Sequence, residues 1–118
     1  HYKSGEPIPA DLVAKIKKAA TFNEGFKTTE YMASAIMDLL YHTTDPALIE
    51  PQTFEKEQLT AIGMPKEVVM RHRSTQFGHV FSSEGYSSGY YGYMWAEVLT
   101  SDAAEAFAEA PGVSMIKT

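Results

Sequence analysis

Apolar residues in this chain recur at intervals of three and four, and nowhere do apolar and polar residues alternate long enough to make a half-buried strand. Such a chain can bury its apolar groups only by packing helix against helix, so the expected fold is all-α, a compact multi-helix arrangement. With 118 residues, 44% hydrophobic and 21% charged, there is material for one core, and residues 1–118 read as a single unit.

Proline, glycine and hydroxyl residues punctuate the pattern. Gly5, Pro7 and Pro9 mark an extended lead-in, and Leu12, Val13, Ile16, Ala19 and Ala20 predict a helix over residues 10–20, with Lys15, Lys17 and Lys18 on its solvated side. Phe22, Asn23, Gly25 and Phe26 break it. Thr28 or Thr29 is expected to cap the next helix, which runs to about Tyr41 with Tyr31, Ala35, Ile36, Leu39 and Leu40 as its apolar face and His42 as a terminal cap. Asp45-Pro46 and Glu50-Pro51 mark a loop with one helical turn at residues 47–49. Thr53 then caps a short helix that buries Phe54, Leu59 and Ile62, leaves Glu55, Lys56 and Glu57 in water, and ends with Gly63 at C′ and Pro65 beyond. Residues 65–70 can form a further helix, and residues 71–81 read as irregular or briefly extended. A final helix is expected from Ser101 or Asp102 through Ala103, Ala106 and Phe107, stopped by Pro111 and Gly112.

Between these lies HVFSSEGYSSGYYGYMWAE, residues 79–97. Tyr86, Tyr90 and Tyr93 fall at i, i+4 and i+7, the spacing that lines side chains along one helix face, and a helix over residues 87–100 is expected. Tyr91, Trp95 and Val98 repeat the spacing on a second face that, with Met94, would be buried. Gly85, Gly89 and Gly92 oppose helix formation, so the segment needs close backbone approach or local mobility. A tyrosine row is by itself more often half-buried packing than a working site.

HVFSSEGYSSGYYGYMWAEVL resembles the C-terminal tyrosine segment of the thimet oligopeptidase family of zinc metallopeptidases, most nearly its bacterial peptidyl-dipeptidase branch. The resemblance runs back through RHRSTQFGH and IGMP to HYKSGEPIP and is densest from Arg71 to Phe107. It implies that the chain is the C-terminal portion of a larger helical catalytic domain that hydrolyses short peptides, releasing C-terminal dipeptides. It also implies a zinc held by H-E-x-x-H and a later glutamate in a missing upstream part. Tyr90, Tyr93 and His79 would then be catalytic donors, and Tyr86, Gly85 and Gly89 would contact the peptide.

The residues are suited to such work. A phenol is a neutral donor at pH 7 and can meet the charge that develops on a carbonyl oxygen, a role worth roughly 3 to 4 kcal/mol per donor in a dry cleft. Arg71 and Arg73 could clamp a peptide carboxylate, although ion pairing is the commoner fate of such arginines. His1, His42, His72 and His79 contain no H-x-x-x-H pair, so no metal ligand is expected here. Ser82, Ser83, Ser87 and Ser88 do not form G-x-S-x-G and are expected to be loop and cap residues.

A net charge of −5 and a pI near 5.3, with only one lysine cluster, argue against nonspecific binding to nucleic acid or an anionic membrane. No run approaches a membrane span, and the absence of cysteine leaves both cytoplasm and periplasm compatible. A start at His1 without methionine fits an excised piece, expected to be inactive alone and to self-associate through uncovered apolar faces. The rival reading is a stand-alone helical module that binds a protein or peptide without catalysis, since tyrosine and tryptophan are favoured interface anchors.

Overall fold

The computed structural model describes residues 1–110, with five α-helices and no strand among the described residues. These are α1 (Ala10–Ala20), α2 (Glu24–Thr43), α3 (Pro51–Ala61), α4 (Gly78–Phe81) and α5 (Gly92–Glu109), with short 3₁₀ turns at Pro46–Leu48, Ser74–Gln76 and Glu84–Tyr86. The predicted stop at Pro111 and Gly112 lies outside the described residues. No described helix is long and apolar enough to cross a membrane.

α2 is the central element. It begins earlier than expected, after Asn23 in the left-handed conformation (φ 57°), and Thr28 and Thr29 lie inside it. The Thr29 hydroxyl turns back to donate to the Gly25 carbonyl at 2.8 Å instead of capping. Its buried face is also rotated from the expected one: Ala33, Ser34, Ala35, Met37, Asp38 and Tyr41 are buried, whereas Leu39 is exposed.

Against this face pack Phe54 of α3, Met70, Phe77, Val80 of α4 and Tyr90, with Met37, Phe77 and Val80 wholly removed from water. Burying a side chain of that size contributes roughly 1.5 to 3 kcal/mol. The aromatic contacts are close, with ring centroids at 5.4 Å for Tyr41–Phe54 and 5.1 Å for the edge-on pair Phe77–Tyr90.

α3 ends as its sequence predicts. Gly63 has φ 76°, its N–H donates to the Thr60 carbonyl, and the Met64 N–H reaches the Leu59 carbonyl, the double closure of a Schellman end. Its start differs from expectation, because Glu50 rather than Thr53 is the cap: the Glu50 carboxylate accepts the Thr53 N–H at 2.8 Å, with Pro51 at the first helical position. Ile62 is exposed, and Glu55 is buried rather than solvated. Glu55 accepts the Ser74 N–H at 2.8 Å and pairs with Arg73 Nε at 2.6 Å, which fixes the turn that leads to α4.

Residues 65–70 form no helix. A turn closes at Val68 N–H to Pro65 C=O, 2.9 Å, and the β-branched pair Val68 and Val69 then carries Met70 into the core. Residues 71–81, expected to be irregular, contain a 3₁₀ turn and α4.

The helices expected over 87–100 and from Ser101 or Asp102 onward are one continuous helix that starts only at Gly92. Ala103, Ala104, Ala106 and Ala108 are strong helix formers, and the Thr100 hydroxyl donates to the Ala96 carbonyl at 2.7 Å, so nothing interrupts the ladder. The face expected to be buried is open: Tyr91, Met94, Trp95 and Val98 are all exposed.

Compactness holds for the middle of the chain only. The extents are 60 × 30 × 29 Å and the radius of gyration is 19.8 Å, against about 13 Å for a compact domain of this length. No residue of α1 or α5 is buried, so both helices contribute length without core.

Candidate functional site

The chemistry-bearing side chains gather where α4, the residue 84–91 segment and the first turn of α5 meet α2. Tyr86 sits in a 3₁₀ turn, Tyr90 in the turn before α5, and only Tyr93 is helical. The row expected from helical spacing is therefore a cluster, assembled around a histidine. The His79 ring lies 4.8 Å from Tyr86, 5.7 Å from Tyr90 and 6.0 Å from Tyr93, centroid to centroid, and Tyr90 meets Tyr93 edge-on at 5.3 Å. The Tyr93 hydroxyl is 3.4 Å from His79 Nε2, a long contact at the edge of hydrogen bonding.

His79, Tyr90 and Tyr93 share an open cleft of about 470 Å³ with Tyr31, Arg71, His72, Met94 and Glu97. Tyr86, Gly85 and Gly89 are not among its walls, although Tyr86 touches His79. A larger hollow of about 590 Å³ between α3 and residues 64–69 has no histidine or tyrosine in its walls.

Burial pushes the Tyr90 phenol above its ordinary pKa, opposed by the Arg71 guanidinium, and burial raises that of Tyr31 as well. Both hydroxyls therefore keep their protons well beyond neutral pH. Arg71 differs from Arg73, which is held by Glu55: Arg71 has no carboxylate within ion-pairing distance among the described residues and lies on the cleft wall.

The non-helical shape of residues 88–91 has a visible cause. The wholly buried Asp38 carboxylate accepts the Ser88 N–H at 3.1 Å and the Tyr90 N–H at 2.9 Å, while Ser88 adopts the left-handed conformation (φ 55°). The Tyr31 hydroxyl donates to the Tyr90 carbonyl at 2.7 Å and accepts the Met94 N–H at 3.1 Å in the first turn of α5. His42, expected to cap its helix, turns back instead: Nδ1 lies 2.8 Å from the Asp38 carbonyl, one turn earlier inside the helical ladder, and 2.9 Å from the Asp38 carboxylate.

Sequence reasoning passed over Asp38 and took Tyr31 for packing. The available signal was an acidic residue seven positions after Tyr31 and three after Ala35, on a face that had to be buried, where a charge needs partners. The glycines needed no special conformation. Gly85, Gly89 and Gly92 have ordinary φ values, and a Cβ at Gly85 or Gly92 would meet no crowding, while at Gly89 it would just touch the Tyr86 carbonyl at 3.4 Å.

Among the described residues, no group of three His, Cys, Asp or Glu side chains converges to hold a metal.

Peptidase family M3 matches residues 1–116. The chain is 36% identical over 118 residues to dipeptidyl carboxypeptidase of Salmonella typhimurium and 33% identical over 117 residues to that of Escherichia coli, in each case across 97% of this chain. Oligopeptidase A of Haemophilus influenzae is 32% identical over 92% of this chain. The chain spans only about 16 to 17% of the length of these relatives. No solved structure matches it. A family match over all but the last two residues, with curated relatives above 30% identity, settles the affiliation: the chain belongs to peptidase family M3.

Proposed function

We propose that this chain is the C-terminal, substrate-handling part of a zinc metallopeptidase that releases dipeptides from the free C-terminus of short peptides. The observation that carries the reading is the meeting of the Tyr93 hydroxyl and His79 Nε2, 3.4 Å apart, in the cleft that Tyr90 and Arg71 also line. The zinc would supply Lewis-acid chemistry from residues of the parent protein other than these. What this chain contributes is donors and a cation. Tyr93 and His79 donate to the oxygen of the scissile carbonyl, which replaces their long mutual contact once it sits between them. Tyr90, kept neutral by burial, extends the donor set. Tyr86, Gly85 and Gly89 flank the cluster and contact peptide only when it is bound. Arg71 takes the free carboxylate of the substrate by a two-pronged hydrogen bond, which favours release from the C-terminus over cleavage inside a chain. Membership of a peptidase family supports catalysis over a stand-alone interaction module.

The test is a pair of substitutions in the peptidase that carries this segment. Tyr93→Phe is expected to lower kcat on the order of a hundredfold with little change in KM, since the hydroxyl meets charge present mainly in the transition state. Tyr91→Phe, at an exposed position off the cleft wall, is expected to leave kcat intact. Arg71→Gln should raise KM for peptides with a free C-terminus and not for their amides. A normal kcat for Tyr93→Phe overturns the donor assignment, and equal KM changes for acid and amide overturn the exopeptidase reading.

A further inference from the structure

All four hydrogen bonds between the side chains of α2 and residues 88–94 involve backbone atoms of that segment: the Asp38 carboxylate accepts the Ser88 and Tyr90 N–H groups, and the Tyr31 hydroxyl donates to the Tyr90 carbonyl and accepts the Met94 N–H. Backbone contacts of this kind set where a side chain starts and which way it points, whatever the side chain is. Tyr31 and Asp38 are seven residues apart, two helical turns along one face, so a single rigid element presents both.

The backbone they hold would not hold itself. Ser88 is left-handed without being glycine, a conformation that survives only where its surroundings over-determine it. Asp38 in turn is out of water altogether, which a carboxylate tolerates only when it is hydrogen-bonded. Ser88 N–H and Tyr90 N–H donate to it, and His42 Nδ1 lies 2.9 Å away.

We propose that Asp38 and Tyr31 are the positioning residues of the tyrosine cluster: they fix the turn before α5 so that Tyr90 and Tyr93 face His79. Neither is required to touch the reacting atoms. The kinetic part of this inference rests on the peptidase reading above, whereas the geometric part stands on this chain alone, and the experiment separates the two.

The 118-residue chain is labelled for NMR, and Asp38→Asn, Tyr31→Phe and Glu55→Gln are compared. Asn keeps the shape of Asp38 but turns an N–H toward one of two N–H donors, so the Ser88 and Tyr90 amide protons are expected to shift upfield and exchange faster, and the ring contacts between His79 and Tyr93 to vanish. Tyr31→Phe retains the ring, keeps the fold if Asp38→Asn does not, and is expected to loosen the Met94 amide and weaken the same ring contacts. Glu55→Gln, at a second buried carboxylate, which holds Ser74, is expected to lower thermal stability without moving the Ser88 and Tyr90 amide signals. In the parent peptidase, Asp38→Asn and Tyr31→Phe are each expected to lower kcat about tenfold or more at matched folded fraction with KM changed little. Unchanged His79 to Tyr93 contacts in both Asp38→Asn and Tyr31→Phe overturn the positioning role. So does loss of those contacts with a normal kcat in an enzyme that Tyr93→Phe disables. If Tyr93→Phe is itself silent, the peptidase reading fails and the NMR result alone decides the positioning claim.

Discussion

The middle of the molecule and its two arms differ in what is left unsatisfied. The whole buried core lies between Tyr31 and Met94, and among the described residues no buried side-chain polar atom lacks a partner: Asp38 is held by two backbone N–H groups and the His42 imidazole, and Glu55 by the Ser74 N–H, the Ser74 hydroxyl and the Arg73 guanidinium. α1 and the outer turns of α5 bury nothing, although Leu12, Ile16, Trp95, Leu99 and Phe107 lie on them. The centre holds the core and the arms do not. The site belongs to the centre, which is why its geometry can be specific while its surroundings are open.

The sharpest way to break that comparison is a large-to-small change in each region. Met37→Ala, at a position with no exposure, should cost about 2 to 5 kcal/mol by urea unfolding. Leu99→Ala, 65% exposed, should stay within about 0.5 kcal/mol. Equal losses at the two positions would mean that α5 is covered in solution.

Coverage can also be sought directly. The exposed apolar residues of α1 and α5 predict concentration-dependent self-association of the isolated chain in sedimentation and binding of a hydrophobic dye, both reduced by Trp95→Ser. A chain that stays monomeric and binds no dye would show that uncovered helices are tolerated here.

The smallest effect concerns the entrance to α3. The Thr53 N–H holds the Glu50 carboxyl below its ordinary pKa, so its contribution to stability is complete above the unfolded-state value and is lost as the pH falls through the folded one. Glu50→Gln should therefore lower the neutral plateau slightly and flatten the acid limb by the same amount, leaving stability at low pH unchanged. An unchanged acid limb would show that the cap is not populated.

Where sequence reading succeeded, local rules were enough. The bounds of α1 follow from Pro9 and the i, i+3, i+4 apolar spacing, and the end of α3 follows from Gly63, since only a left-handed residue closes a Schellman end cheaply. The composition of the cluster was also legible, with His79, Tyr90 and Tyr93 brought together. Its geometry was not, because Tyr86 and Tyr90 at helical spacing are not in a helix.

Periodicity reports the helix a segment would form alone. It carries no record of a carboxylate fifty residues earlier that takes the Ser88 and Tyr90 N–H groups and holds them out of the helical ladder. The same limit placed Glu55 in water, for its partners Arg73 and Ser74 come close only after α3 and the following loop have folded onto each other. The sequence by itself determined an all-α chain, its first helix, its sharpest helix end and, in His79, Tyr90 and Tyr93, three side chains that meet at one cleft. Tertiary structure decided which carboxylates are buried, where α5 begins and which way the tyrosines face, because hydrogen bonds between residues distant in the chain outweigh the weak local preference of a glycine- and serine-rich segment.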